Sequence, residues 1–171
     1  MSQIILNIAT AGDKIYDDSE ICCYLADVSL PREFILSLRE KGKMVLLAGN
    51  GAPELCASLG LDGVITEVSP DYPVKAQLNK VRGIIGNRKV LGALIPPRRH
   101  EAMLAAETEP EFVAFRFSAA EFEAAAEVVR WYNEYFLIQS AVDLRDGLQD
   151  VKGWEADFVI INSRDYEDFS C

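Results

Sequence analysis

The chain has 171 residues, 50% of them apolar and 26% charged, with a formal net charge of −10 at pH 7. That length suits one domain with a sizeable core, so a single domain over residues 1–171 is expected. The acidic balance argues against a nucleic-acid partner, which needs clustered Lys and Arg, and against an anionic membrane surface, but it leaves room for a local anion site.

Eight short apolar runs read as strands: 3–9, 21–25, 44–48, 63–68, 89–95, 111–117, 135–140 and 157–162. Most are followed by a turn and a helix-patterned stretch. In the second unit, ICCYLAD is continuously apolar, as a strand buried on both faces of a parallel sheet must be. Pro31 then suits a first helical turn, Phe34, Ile35, Leu36 and Leu38 recur at roughly helical spacing, and Gly42 stops the helix. Pro53, Leu55, Leu59 and Gly60 repeat the scheme in the third unit. Residues 119–134 form the strongest helix pattern, rich in Ala and Glu, with Phe122, Ala126, Val129 and Tyr132 or Asn133 along one stripe. Trp131 and Trp154 both fall in helix patterns and read as packing residues.

Alternating strands and helices signal βαβ units. Eight of them predict a compact parallel (β/α)8 barrel of the TIM type, in which function sits at the carboxyl ends of the strands. The rhythm weakens at residues 10–20 and again after 162, so the first and last helices are expected to be reduced or absent. Those two places adjoin on a closed barrel. The thin wall this leaves over strands one and eight motivates a homodimer, each subunit shielding the other, unless Ile15, Tyr16, Tyr166 and Phe169 fold back over it. An open doubly wound sheet acting through protein contacts is the architectural alternative.

No apolar run approaches the roughly 18 residues of a membrane span, and the opening residues lack the basic region and apolar core of a signal peptide, so the cytoplasm is the expected location. Cys22, Cys23, Cys56 and Cys171 fit that compartment as reduced thiols. Cys22 and Cys23 are strand neighbours, so their side chains are expected on opposite faces, unable to clamp one metal. With no CxxC and one histidine, no metal site is expected.

The stretch NGAPELCASLGLDGVITEVSPD, followed by KVLGALIPPRRHEAMLAAE and EPEFVAFRF, resembles thiamine phosphate synthase and its thiazole tautomerase-like relatives in order and spacing. The resemblance implies the barrel fold and a magnesium-dependent transfer between phosphorylated thiamine precursors. The family's motifs are only partly present. Asn50 matches the first residue of the family's Asn-Asp pair, but Gly51 replaces the metal-binding acid. The strand-four motif that ends in a second metal-binding Asp reads Ile65 to Pro70, leaving Asp71 one place late. Ala26 and Val28 stand where an Arg and a basic neighbour are usual, and the diphosphate-touching serine is lost within LIPP. The strand-six loop shortens to SAAE, and the glycine-rich phosphate loops become SAVD and SRDYED. Ser140 or Asp143 could cap a helix after strand seven, but an Asp there repels an anion.

The candidate ligand-binding residues are Asn50, Glu67, Arg116, Gln139 and Asn162, all assigned to strand carboxyl ends. Arg116 interrupts an apolar strand and suits a carboxylate or phosphate if it points into the mouth. Glu67, Asp71 and Asp27 could form an acidic cluster for a divalent cation or remain solvated loop acids. Arg98, Arg99 and His100 open a helix and read as a solvent-facing turn or the guard of an anion site. The expected function is that of a degenerate or non-classical family member binding a small molecule, phosphorylated or not, without the ordinary synthase activity. No cofactor is expected. The alternative is an active enzyme with rearranged residues, and only that alternative implies Mg.

Overall fold

The computed structural model describes residues 2–169; Cys171 lies outside them. Eight strands run β1 (Gln3–Ile8), β2 (Ile21–Asp27), β3 (Met44–Ala48), β4 (Gly63–Glu67), β5 (Val90–Ile95), β6 (Phe112–Arg116), β7 (Gln139–Asp143) and β8 (Phe158–Asn162). Each pairs in parallel with the next, and β8 pairs with β1 from Gln3↔Phe158 to Asn7↔Asn162. The sheet is therefore a closed barrel, and the open doubly wound alternative is overturned.

Alternation along each strand divides the apolar residues between two cores. Leu6, Tyr24, Leu47, Val64, Val113 and Ile161 face outward. Against them pack the helices α1 (Arg32–Ser37), α2 (Ala52–Leu59), α3 (Val74–Ile85), α4 (Arg99–Glu107) and α5 (Phe122–Tyr135). Ile5, Leu25, Leu46, Ile65, Leu94, Ala114 and Ile160 face inward and fill the barrel. Phe112 also points in, and its ring takes the space beside Gly92. A Cβ at that glycine would lie 2.3 Å from the ring, so the large residue on β6 requires none on β5.

The seventh unit departs from expectation. Of the apolar run at 135–140 only Gln139 and Ser140 lie in a strand: α5 continues through Tyr135, Phe136 stacks on Tyr132 at 4.8 Å, and Leu137 is fully exposed. Those side chains close the helix end, and β7 begins four residues later. There the Ser140 N–H donates to the Asp157 carboxylate at 2.9 Å. Ser140 and Asp143 lie within the strand and cap no helix. Residues 144–157 contain no helix either. Trp154 packs its ring on Phe117 and Phe122, 5.3 and 5.1 Å away, and covers the outer wall where a helix was expected.

Residues 9–20 are likewise without a helix, and β8 leads into a short 3-10 helix, Ser163–Asp168. The wall between them is nevertheless covered. Ile15, Tyr16, Tyr166 and Phe169 pack on the outer core, with the two tyrosine rings 4.4 Å apart. The Tyr24 hydroxyl donates to the Tyr16 carbonyl at 2.7 Å, and the Ser163 hydroxyl donates to the Lys14 carbonyl. Ile4, Leu6, Ile160 and Ile161 are at most 1% exposed. The bare apolar wall invoked for a homodimer is absent, and with it that reason for a partner.

The two neighbouring cysteines also depart from simple alternation. Ile4 pairs with Ile21 but Ile5 with Cys23, so Cys22 is the extra residue of a β-bulge. Ile21 and Tyr24 remain in the outer core, whereas Cys22 and Cys23 both pack against the inner one. The thiols share a face.

Candidate functional site

Two residues beyond the inward Ile5, Leu25, Leu46, Ile65, Ala114, Ala141 and Ile160, the same strand faces carry Asn7, Asp27, Ala48, Glu67, Arg116, Asp143 and Asn162. On each of these strands except β3, where Ala48 stands, the barrel interior thus changes from apolar to polar in one step at its carboxyl mouth.

Arg116 is the hub. Its Nε and Nη2 donate to the two oxygens of Asp146, each at 2.9 Å, while Nη1 donates to Glu67 Oε2 at 3.0 Å. The hydrogen bond with Asp146 raises the pKa of the arginine and holds that of Asp146 below the usual carboxylate range. Arg145 makes a second pair: its Nε and Nη2 donate to the Asp143 carboxylate at 2.9 and 2.8 Å, and its own N–H donates to Asp143 Oδ1 at 3.0 Å. The Asp143 side chain is fully buried. Beside this pair, Asn7 donates to the Asn162 side-chain oxygen at 2.9 Å, and Asn162 donates to the Arg145 carbonyl at 2.8 Å. Both mouth arginines are neutralised, and the Asn162 amide is engaged at both ends.

Above this layer, between the loops after β2, β3 and β4, lies an open groove of about 700 Å³ lined by Asp27, Asn50, Glu54, Glu67, Tyr72 and Arg116 among others. Asn50 sits exposed between Gly49 and Gly51, both with positive φ. Gly49 has a spatial reason as well, because a Cβ there would lie 2.7 Å from Asp27 Oδ2. Gln77 shapes the opposite rim: its side chain accepts from the Ser69 N–H at 2.8 Å and donates to the Ser69 and Tyr72 carbonyls, each at 2.9 Å. That leaves Tyr72 68% exposed over the groove. A second hollow of about 730 Å³ continues across the Glu67–Arg116 pair toward Pro96, Arg98 and Glu101.

Asn50, Glu67 and Arg116 therefore meet at one groove, with Asn162 in the layer beneath. Gln139 does not join them. The later start of β7 makes it that strand's first residue, at the amino end of the barrel, where it lines a separate hollow with Ser2 and Asp157. Asp71 does not line the groove. Among the described residues, no three His, Cys, Asp or Glu side chains converge to hold a metal, so the donor set does not fit the magnesium implied by the family resemblance. The basic turn is engaged with helices: Arg99 lies over the Trp131 ring at 5.0 Å and 3.7 Å from Glu127, and His100 is exposed. Asn7 and Asp143 were legible by counting alternate residues from the apolar core. Arg145 and Asp146 lie in the loop beyond β7 and carry no such signal.

No protein-family model matches the chain, and no curated protein matches it. No helix among the described residues is long and apolar enough to cross a membrane.

Proposed function

We propose that this chain is a thiamine phosphate synthase-like barrel that binds a small molecule, in a sensing or regulatory role, without running the ordinary synthase reaction. One observation carries the reading: Arg116 and Arg145, the two arginines lining the groove, are each committed to carboxylates, which leaves Lys80 as its remaining cation. A diphosphate leaving group needs cationic groups poised for its developing charge. Here an incoming phosphate would have to displace Asp146 and Glu67 from Arg116. The groove's acids, Asp27, Glu54 and Glu67, favour a neutral or cationic polar ligand, and Tyr72 offers a ring to stack on it. An unphosphorylated aminopyrimidine or thiazolium fits that description. The proposal places the protein in the cytoplasm, in keeping with the free thiols of Cys22, Cys23 and Cys56.

Incubation with the aminopyrimidine diphosphate, the thiazole phosphate and Mg²⁺ is expected to give no product above background. Turnover of about 1 s⁻¹ or more would overturn the reading. Calorimetry is expected to show tighter binding of thiamine than of thiamine phosphate; the reverse order would make the mouth an anion site.

A further inference from the structure

At the other end of the barrel three sulfur-bearing side chains occupy adjoining positions. The bulge brings Cys22 and Cys23 to one side of β2, and both pack against the inner core. The Cys22 thiol lies 3.4 Å from the Ile4 carbonyl. On the next strand Met44 is the register partner of Cys23, so the two share a face. Met44 stands two residues before inward Leu46, as Cys23 stands two before inward Leu25. Cys23 is 7% exposed and Met44 38%, which leaves the cluster open on the Met44 side.

We propose that Cys22, Cys23 and Met44 form a binding site for a thiophilic monovalent cation, copper(I), at the amino end of the barrel. Two thiols and a thioether are a soft donor set, which selects Cu(I) over the oxygen-seeking Mg²⁺ and Ca²⁺. A structural zinc site wants four nitrogen, oxygen or thiolate ligands, and the described residues offer no third His, Cys, Asp or Glu here. The alternative use of the pair, a disulfide between neighbours, meets a geometric obstacle. Consecutive Cα atoms stand about 3.8 Å apart, short of the roughly 4.4–6.8 Å that disulfides span. A metal bridging the sulfurs imposes no S–S bond and avoids that strain.

Binding balances without a redox step. Each cysteine releases one proton to solvent, two Cu–S(thiolate) bonds form, the Met44 thioether donates a lone pair, and copper remains Cu(I). The product carries one net negative charge. Lys43, whose ammonium donates to the Ile21 and Asp18 carbonyls at 2.7 and 3.0 Å, is the nearby cation that offsets it.

The test uses the reduced full-length protein under anaerobic conditions, with Cu(I) supplied as its bathocuproine disulfonate complex. The unmodified chain is expected to withdraw one Cu(I), with a copper X-ray absorption edge reporting sulfur-only coordination. Cys22→Ser and Cys23→Ser should each weaken binding by at least the roughly 10–100-fold that loss of a supporting group costs a metal site, and Met44→Leu by about tenfold. Cys56→Ser and Cys171→Ser should leave it unchanged. Circular dichroism melts establish that each variant is folded. Silver(I), a redox-inert stand-in, titrated into the unmodified ¹⁵N-labelled chain should shift amides 21–24 and 44, which needs no variant. Failure to withdraw copper, withdrawal that survives both cysteine substitutions, dependence on Cys171, or silver shifts elsewhere would overturn the proposal.

Discussion

At the carboxyl mouth the inward positions of β2, β4, β6 and β7 are Asp27, Glu67, Arg116 and Asp143; at the amino end of the same strands they are Cys23, Gly63, Phe112 and Gln139. One alternation rule places both sets, yet their chemistry differs. At the mouth, loops after the strands supply Arg145 and Asp146, and opposite charges can meet and be hydrogen-bonded. The amino end has a bulge instead, which sets two soft sulfurs beside a third. Between them a plug of Ile, Leu and Phe side chains keeps the ends apart. A closed barrel is thus two separate surfaces joined by a wall, and evidence about one says little about the other.

The strongest test of that separation removes the plug. Phe112 is 3% exposed and its ring lies 5.5 Å from that of Phe158 and against Gly92. Phe112→Ala is expected to lower the unfolding free energy in urea by about 3–5 kcal/mol, since a barrel wall cannot collapse into the cavity. A loss below about 1 kcal/mol would mean that the interior repacks freely and that the two ends are not insulated.

Asp143→Asn tests the mouth alone. It removes the carboxylate that neutralises Arg145, whose side chain is 17% exposed, and leaves a mostly buried cation without its partner. Breaking such a pair costs about 3 kcal/mol. Copper binding at the amino end should be unchanged, and a parallel loss there would show that the ends are coupled.

An alkaline titration probes the wall between the ends. Burial of the Tyr24 phenol pushes its pKa up from 10.0 to about 12. The unfolded chain then releases this proton near pH 10 while the folded chain holds it until about 12. Stability is therefore fully present below pH 10 and falls as pH rises to about 12, by roughly 2–3 kcal/mol for a shift of that size. Tyr24→Phe should flatten that part of the profile while losing the hydrogen bond to the Tyr16 carbonyl. A slope unchanged by the substitution would assign the alkaline loss to other tyrosines.

Most of the barrel was legible because parallel strands buried on both faces write themselves as short apolar runs. The run at 135–140 misled because Phe136 is apolar for another reason: it stacks on Tyr132 to close α5. Gln139 was consequently assigned to the wrong end of β7. Arg116 was legible as a charge interrupting a strand and Glu67 as an acid at a strand end, but the pairing of Arg116 with Asp146 depends on where a loop with no regular structure comes to rest. The shared face of Cys22 and Cys23 was hidden because a bulge arises from pairing with β1, and nothing local to the two cysteines announces it.

The smallest expected effect on stability is also the most informative about ligand chemistry. Arg116→Gln removes the bidentate contact with Asp146 and the link to Glu67, but the Arg116 side chain is 36% exposed and that of Asp146 56%. Solvent screening limits the loss to about 1 kcal/mol, and salt near 1 M should erase much of it. The pH dependence has a definite sign. Arg116 holds the folded-state pKa of Asp146 below its ordinary 3.8, so the stabilisation is present above that pH and disappears as pH falls through the folded value. Urea midpoints of the two proteins should differ at neutral pH and converge in acid. In the same variant, release of Glu67 from its arginine leaves the groove more acidic. Thiamine affinity should then hold or rise, whereas a phosphorylated ligand, if one binds, should lose the Arg116 guanidinium and bind more weakly. Loss of thiamine binding in Arg116→Gln, with the fold intact, would show that the ligand is held by the arginine and not by the acids around it.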